Sequence, residues 1–341
     1  MRFVRASAAA SRIALITMSA ALAAAGCSIS GAGNSGSGQL TVGIVPGIDN
    51  SPLMVGQQEG LFRDHGLNVT VTDFPSLKAE FQALRNGSVD IAVGDYADFF
   101  YEEATNMAAL HLVADGYDAA PGVMEVLTLP GSGITTPQGL EHKVVATPEP
   151  QLIPSFTGSY TSDIIPYSIE TLATESVLQS DGVPPSNVKW RPTPAQDMIR
   201  ELGSGQVSAI LATEPYVIAA ESQLGAVEVV DSVSGPAASL PLSGYFSLAA
   251  YADTHHSQLQ QFQAALGSAQ SDAATGGPLQ AMLPHFITGM SPQHTAQYAA
   301  LETLGLFPTS LSVGQVQRVA DLMYDFGVIN SPLPMSRLAG G

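Results

Sequence analysis

Cysteine and positive charge are the two scarcities of this 341-residue chain. With a single Cys, neither a disulfide framework nor a multi-cysteine zinc site can form. Twelve Lys plus Arg face 30 Asp plus Glu, a formal charge of −18. Such a balance repels nucleic-acid backbones, so nucleic acid is excluded as a partner, and it gives no electrostatic docking on anionic lipid. Charged residues are only 12% of the chain, about half the usual share. No apolar run reaches the roughly 20 residues that cross a bilayer. What is plentiful is apolar: 45% hydrophobic residues suffice for packed cores and exclude an intrinsically disordered chain. At roughly 100–200 residues per domain, the length suggests two.

The N-terminus reads as an address. Arg2, Arg5 and Arg12 form a basic region, and Ile13 to Ala25 an apolar run of 13 residues. That is too short to span and fits a secretory signal. The run ends Leu22-Ala23-Ala24-Ala25-Gly26-Cys27, which resembles a bacterial lipobox, with Ala24 where the pattern usually has a Leu-like residue. The resemblance implies cleavage after residue 26 and a lipid on Cys27. Residues 28–38 hold four Gly and four Ser, a flexible tether. From Cys27 onward the chain keeps all 30 acids and 9 of the basic residues, a net charge of −21. Gly31-Ala32-Gly33-Asn34-Ser35-Gly36 matches a dinucleotide fingerprint in letters only, because it follows no strand and opens no helix.

Beyond the tether, strands and helices alternate. Strands are predicted at Leu40–Val45, Asn68–Phe74, Ile91–Val93, Leu110–Ala114 and Val123–Leu129. Helices are predicted after Ser51-Pro52, over Lys78–Asn86 and over Tyr96–Thr105. A second unit begins near Gly131, with strands at Lys143–Ala146, Val188–Arg191, Ala209–Ala212 and Val227–Val230. Its helices are an amphipathic one bearing Ile169, Leu172, Ala173, Ser176 and Val177, then Ala195–Leu202 and Thr213–Gly225. Tyr245–Ala250 reads as a last strand and the chain from Asp253 as helical. Such alternation implies an α/β protein with two doubly wound, mostly parallel sheets.

Four strand-to-helix turns result: Gly47-Ile48-Asp49-Asn50, Gly94-Asp95-Tyr96, Arg191-Pro192-Thr193 and Thr213-Glu214-Pro215-Tyr216. Ligands of open α/β sheets sit outside the carboxyl ends of the strands, where helix N-termini offer free N–H groups. Singly, each turn reads as an ordinary helix cap; jointly they point to one cleft.

Three further runs carry a resemblance. They are Val42-Gly43-Ile44-Val45-Pro46-Gly47, Glu59-Gly60-Leu61-Phe62 with Gly66-Leu67-Asn68-Val69, and Ala83-Leu84-Arg85-Asn86-Gly87-Ser88-Val89-Asp90-Ile91-Ala92. Leu202-Gly203-Ser204-Gly205-Gln206-Val207-Ser208-Ala209 and Glu214-Pro215-Tyr216 repeat the theme. In order and spacing, residues 39–330 are similar to the binding proteins for nitrate, sulfonates, taurine and thiamine-precursor aminopyrimidines that serve ABC importers. Ser208 departs from the pattern by standing where a second Asp is usual.

The resemblance implies a two-lobed, type II periplasmic-binding-protein fold that closes on its ligand by a hinge. Residues 39–130 and 243–341 form the first lobe and 131–242 the second, with crossings near 129–133 and 242–246. It implies a monomer that takes a small-molecule solute, partners with a permease and an ATPase, and meets the membrane through its N-terminal lipid. No cofactor and no metal are expected.

The ligand-binding candidates are Asp49, Asn50, Ser76, Asp95, Tyr96, Tyr117, Thr157, Ser159, Trp190, Arg191, Glu214, Tyr216 and Tyr245. Arg191 and the hydroxyls would serve a sulfonate or nitrate. The acids and aromatics would serve an aminopyrimidine or a cation. The Pro-rich loop 147–162 is read as a cleft rim.

An enzyme of the same fold, desulfinase-like or pyrimidine-synthase-like, is the rival class, and a receptor without a transporter is the third. Against an enzyme stand the lone Cys on the tether and the lack of G-x-S-x-G, H-E-x-x-H or P-loop motifs. His255-His256 would point apart on a helix and reads as a surface pair.

Overall fold

The computed structural model describes residues 38–153, 167–275 and 305–340. The leader, Cys27, almost all of the tether, Thr157 and Ser159 lie outside them. The first part of the chain runs β1 (Gly38–Ile44), α1 (Ser51–Glu59), α2 (Leu61–Asp64), β2 (Leu67–Asp73), α3 (Leu77–Arg85), β3 (Ile91–Asp95), α4 (Tyr96–Ala104) and β4 (Leu110–Asp118). The middle runs β5 (Met124–Thr128), β6 (Val144–Thr147), α5 (Ile169–Ser180), β7 (Lys189–Pro192), α6 (Ala195–Gly203), β8 (Ala209–Thr213), α7 (Tyr216–Leu224) and β9 (Val227–Asp231). The end runs β10 (Pro241–Leu248), α8 (Ala249–Ala252), α9 (His256–Ala273) and α10 (Val313–Asp325).

Two five-stranded sheets result, in the orders β2-β1-β3-β10-β4 and β7-β6-β8-β5-β9. Both are mixed. β1 pairs parallel with β2 and β3, whereas β10 runs antiparallel to β3 and β4. The second sheet repeats this: β6 is parallel to β7 and β8, and β5 antiparallel to β8 and β9. The α/β class with two doubly wound lobes is as expected.

The lobe boundaries move. Val123–Leu129, read as the last strand of the first unit, is β5 of the second sheet. The first crossing is therefore 119–123, not 129–133. Residues 242–246 lie within β10, so the second crossing is 232–240. A strand run before a turn looks alike whichever sheet it joins, and only pairing reveals its partner.

Local signals explain most elements. Ser76 caps α3 by accepting from the Ala79 amide at 3.3 Å, and Leu77, Phe81 and Leu84 bury one face of that helix. Gly60 ends α1 with φ +81°, a conformation that favours glycine. Ser51, expected to cap α1, is its first residue; its hydroxyl donates to the Ile48 carbonyl at 2.6 Å. Gly94 lies inside β3 opposite Gly244. A Cβ at Gly94 would come within 2.5 Å of the Phe99 ring, and one at Gly244 within 2.7 Å of Tyr96. These two glycines let aromatic side chains pack against the sheet.

The first-lobe core is aromatic. Phe246 is fully buried, stacks on Phe99 with centroids 4.3 Å apart, and meets Tyr96 and Phe100 edge-on. Leu259, Phe262 and Leu266 of α9 are buried, with Phe262 stacked on Phe62 at 5.5 Å.

Truncating the central ring should leave a cavity that this lobe cannot refill. Phe246→Ala is expected to lose about 3–5 kcal/mol in urea unfolding. A loss below about 1 kcal/mol would show that the ring is not central to the core.

Candidate functional site

Because β1, β3 and β8 end at one face, the turns that follow them converge on a cleft of about 250 Å³ between the two sheets. From the first lobe come Gly47, Ile48, Asp49 and Asp95, with Tyr117 and Ser243 from the strands beside them. From the second come Thr213 and Glu214 at the end of β8, and Ile169 and Glu170 at the start of α5. Val123 and Leu242, next to the two crossings, close the floor.

Of the candidates, Asp49, Asp95, Tyr117 and Glu214 are brought together here. Asn50 lies just behind them. Its side chain donates to the Val45 carbonyl at 2.8 Å and accepts from the Gly47 amide, so it holds the turn rather than facing the cleft.

The others serve elsewhere. Ser76 caps α3. Tyr96 is fully buried and donates to Asp115 at 2.8 Å. Trp190 is buried in the second lobe, its indole N–H donating to Glu175. Arg191, the one cation in the four turns, pairs with Glu201 of α6 and is absent from the lining. Tyr216 packs into the second-lobe core. Tyr245 is fully buried against Phe262, and its hydroxyl has no hydrogen-bond partner. Apart from Tyr117, the rings belong to the cores, Tyr96, Trp190 and Tyr245 buried and Tyr216 partly so.

Outside the four turns, two polar lining residues were missed, Glu170 and Ser243, as were the apolar Val123, Ile169 and Leu242. Glu170 follows Ser168, which with Thr171 forms a capping box on α5. That S-x-x-T signal placed a helix start and could have pointed to its neighbour. Ser243 sat in the stretch 242–246 that was read as the second crossing.

The electrostatics are one-sided. Among the described residues, four carboxyl groups line the cleft and no Lys, Arg or His does. Burial pushes Asp49 up to about 6, against the Ser243 hydroxyl and the turn amides. Burial, then the charges of Asp98 and Glu170, hold Asp95 well above the usual carboxylate range. Burial raises Glu214 to about 7. The helix ends are already occupied: Asp95 accepts from the Ala97 amide at 2.7 Å at the start of α4, and Glu214 from the Ile218 amide at 3.4 Å in α7.

Asp98 spans the lobes. Lying in α4 and 2% exposed, it accepts from the Leu152 and Ile153 amides at 2.9 and 3.1 Å. The described part of the 147–162 loop, up to residue 153, is thus fastened to the first lobe.

Among the described residues, no three His, Cys, Asp or Glu side chains converge to hold a metal ion. No described helix is long and apolar enough to cross a membrane.

Several buried carboxyls share the upward shift. Burial raises Glu80, Asp118 and Glu125 to about 8 and Glu175 to about 7. Their folded values lie above unfolded values near 4. The folded chain therefore holds more protons, and stability falls as pH rises from about 4 through 6–8. The melting temperature is expected to be higher at pH 5.5 than at pH 8.5; an equal or lower value at pH 5.5 would show that these carboxyls are ionised in the fold.

Solved structures share this architecture. The periplasmic aliphatic sulphonate binding protein SsuA of Escherichia coli aligns with TM-score 0.68 and 18% identity, over 89% of this chain and 97% of that one. A putative periplasmic sulfonate-binding protein SsuA of Methylobacillus flagellatus KT aligns with TM-score 0.69 and 12% identity, over 89% and 91%. The desulfurization enzyme DSZB aligns with TM-score 0.61 and 16% identity, over 89% and 96%. At these identities the likeness shows the fold, and ligand names do not pass across it. No curated protein matches the chain. The NMT1-like family model matches residues 33–273, well over half the chain, which is therefore a member of the NMT1-like family.

Proposed function

We propose that this protein is the extracytoplasmic solute-binding component of an ABC importer. The reading places it on the outer face of the cytoplasmic membrane, held by a lipid on Cys27 and working as a monomer. It hands a small organic solute to a permease driven by an ATPase. The observation that carries the reading is the cleft, open at the carboxyl ends of strands from both sheets and floored by residues beside the two crossings. A solute that touches both lobes favours the closed state by the difference in its contacts, and the transporter reads that state.

Binding is favoured over catalysis by the chemistry of the lining. Among the described residues it holds carboxyls and the hydroxyls of Tyr117, Thr213 and Ser243, with neither Cys nor His. The only thiol of the chain is Cys27.

Two measurements test this. Membrane fractions of expressing cells should hold the wild-type protein, while Cys27→Ala should appear in the soluble fraction. Wild-type protein found wholly soluble would remove the anchor. A thermal-shift panel of small solutes should contain at least one that raises the melting temperature. A ligand at a hundred times its Kd stabilises by about 2.7 kcal/mol, worth several degrees at roughly 2–4 °C per kcal/mol. Turnover of a panel compound by pure protein would instead establish an enzyme.

A further inference from the structure

We propose that the solute is a small organic cation bearing N–H donors, held by Asp49 and Asp95 from one lobe and Glu170 and Glu214 from the other. This rests on the solute-binding reading and adds the sign of the ligand.

The first support is donor count. A sulfonate or nitrate needs hydrogen-bond donors and a positive potential. In this cleft the α4 and α7 N-termini already donate to Asp95 and Glu214, and the one cation of the four turns pairs with Glu201 outside it. Among the described lining residues an anion would meet four carboxyls and no basic side chain.

The second is what surrounds each acid. Asp49 is flanked by Glu80 and Tyr245, Asp95 by Asp98 and Glu170, and Glu214 by Glu221 and Glu125. No basic side chain from any of these elements compensates them. Such a cluster is costly when ionised and empty, and a cation relieves it.

The third is Ser243. It lines the cleft, is 5% exposed, and its hydroxyl lies against the Asp49 carboxyl. That contact favours the ionised form of Asp49, the form a cation needs, and takes up a donor that an anion would otherwise use.

A metal ion does not fit, because among the described residues no three ligands converge. The carboxyls come from both lobes, which suits an extended solute with nitrogen donors at more than one place.

Titration calorimetry on the full chain in mild detergent tests the proposal. The probes are 1,4-diaminobutane and 4-amino-5-aminomethyl-2-methylpyrimidine, against 1-butanesulfonate and nitrate. At least one amine should bind saturably. Because the free carboxyls must lose protons to meet it, binding should release protons and weaken about tenfold or more from pH 8 to pH 5.5. Glu170→Gln and Glu214→Gln, shape-preserving and one charge fewer, should each weaken it about tenfold, with unfolding midpoints near wild type.

Saturable binding of butanesulfonate or nitrate without amine binding overturns the cation and leaves the solute-binding reading intact. Amine binding that is indifferent to pH and to both variants also overturns the assignment. Silence from all four probes overturns this inference; silence across the wider thermal-shift panel as well would overturn the solute-binding reading with it.

Discussion

Each sheet of this protein is completed by a strand that arrives from the other lobe. β10 enters between β3 and β4 directly after the second lobe, and β5 enters between β8 and β9 directly after the first. Parallel neighbours are joined by helices on the sheet faces, but these two strands need only short links. They therefore run antiparallel to their neighbours, and both crossings emerge beside the carboxyl ends of the parallel strands. The same pairing that makes each sheet whole puts the crossings next to the cleft. α10 reinforces this, since it packs against α4 and α5. Its Arg318 donates to the Pro236 and Ala238 carbonyls of the second crossing at 2.7 and 3.0 Å. A guanidinium that satisfies several carbonyls at once holds a loop with little loss of its own freedom.

Within that frame, acid outnumbers base too far for pairing. Among the described residues there are three ion pairs, and none involves Glu80, Asp98, Glu125 or Glu175, all of them buried. Burying an ionised carboxylate costs several kcal/mol, so the alternatives are protonation and amide donors. Both are in use. Glu80 accepts from the Val93 amide at 2.7 Å and its pKa rises to about 8; Asp98 accepts from two amides and rises only to about 6. The amides oppose the rise in both: they stabilise the charged form that burial disfavours.

Much of this was legible in the sequence because it rests on local rules. Alternation and turn residues located nearly every strand within a few positions, and Asp90 shows why the family pattern reads well. Its carboxylate accepts from the Thr41 amide at 2.8 Å, and its own amide donates to the Thr41 carbonyl, joining β3 to β1. Ser208 keeps the second of these bonds in the other lobe, donating to the Val144 carbonyl, and lacks the carboxylate for the first. Sheet membership was not legible, because β5 and β10 owe their place to partners far along the chain. Nor was the fate of the rings: Tyr245 lies on a strand buried on both faces, where periodicity cannot separate cleft from core, and Trp190 is the one buried residue of the edge strand β7.

The sign of the cleft is decoupled from the fold for a related reason. Backbone similarity preserves where strands end and helices begin, and so preserves a ring of N–H groups at the mouth of the site. Whether those groups meet a ligand or the chain's own carboxylate depends on a few side chains and not on the backbone pairing of the sheets. Asp95 and Glu214 close the α4 and α7 ends from within, and Arg191 turns to Glu201 instead of inward. Two proteins can then superpose over nine-tenths of their length while one presents donors to its solute and the other acceptors. In this chain the scarcity of positive charge visible in its composition reaches the cleft lining, where no basic residue stands against four acids. The helix dipoles that would draw an anion instead hold carboxylates in place, and the free oxygens of those carboxylates give the cleft its preference for a donor.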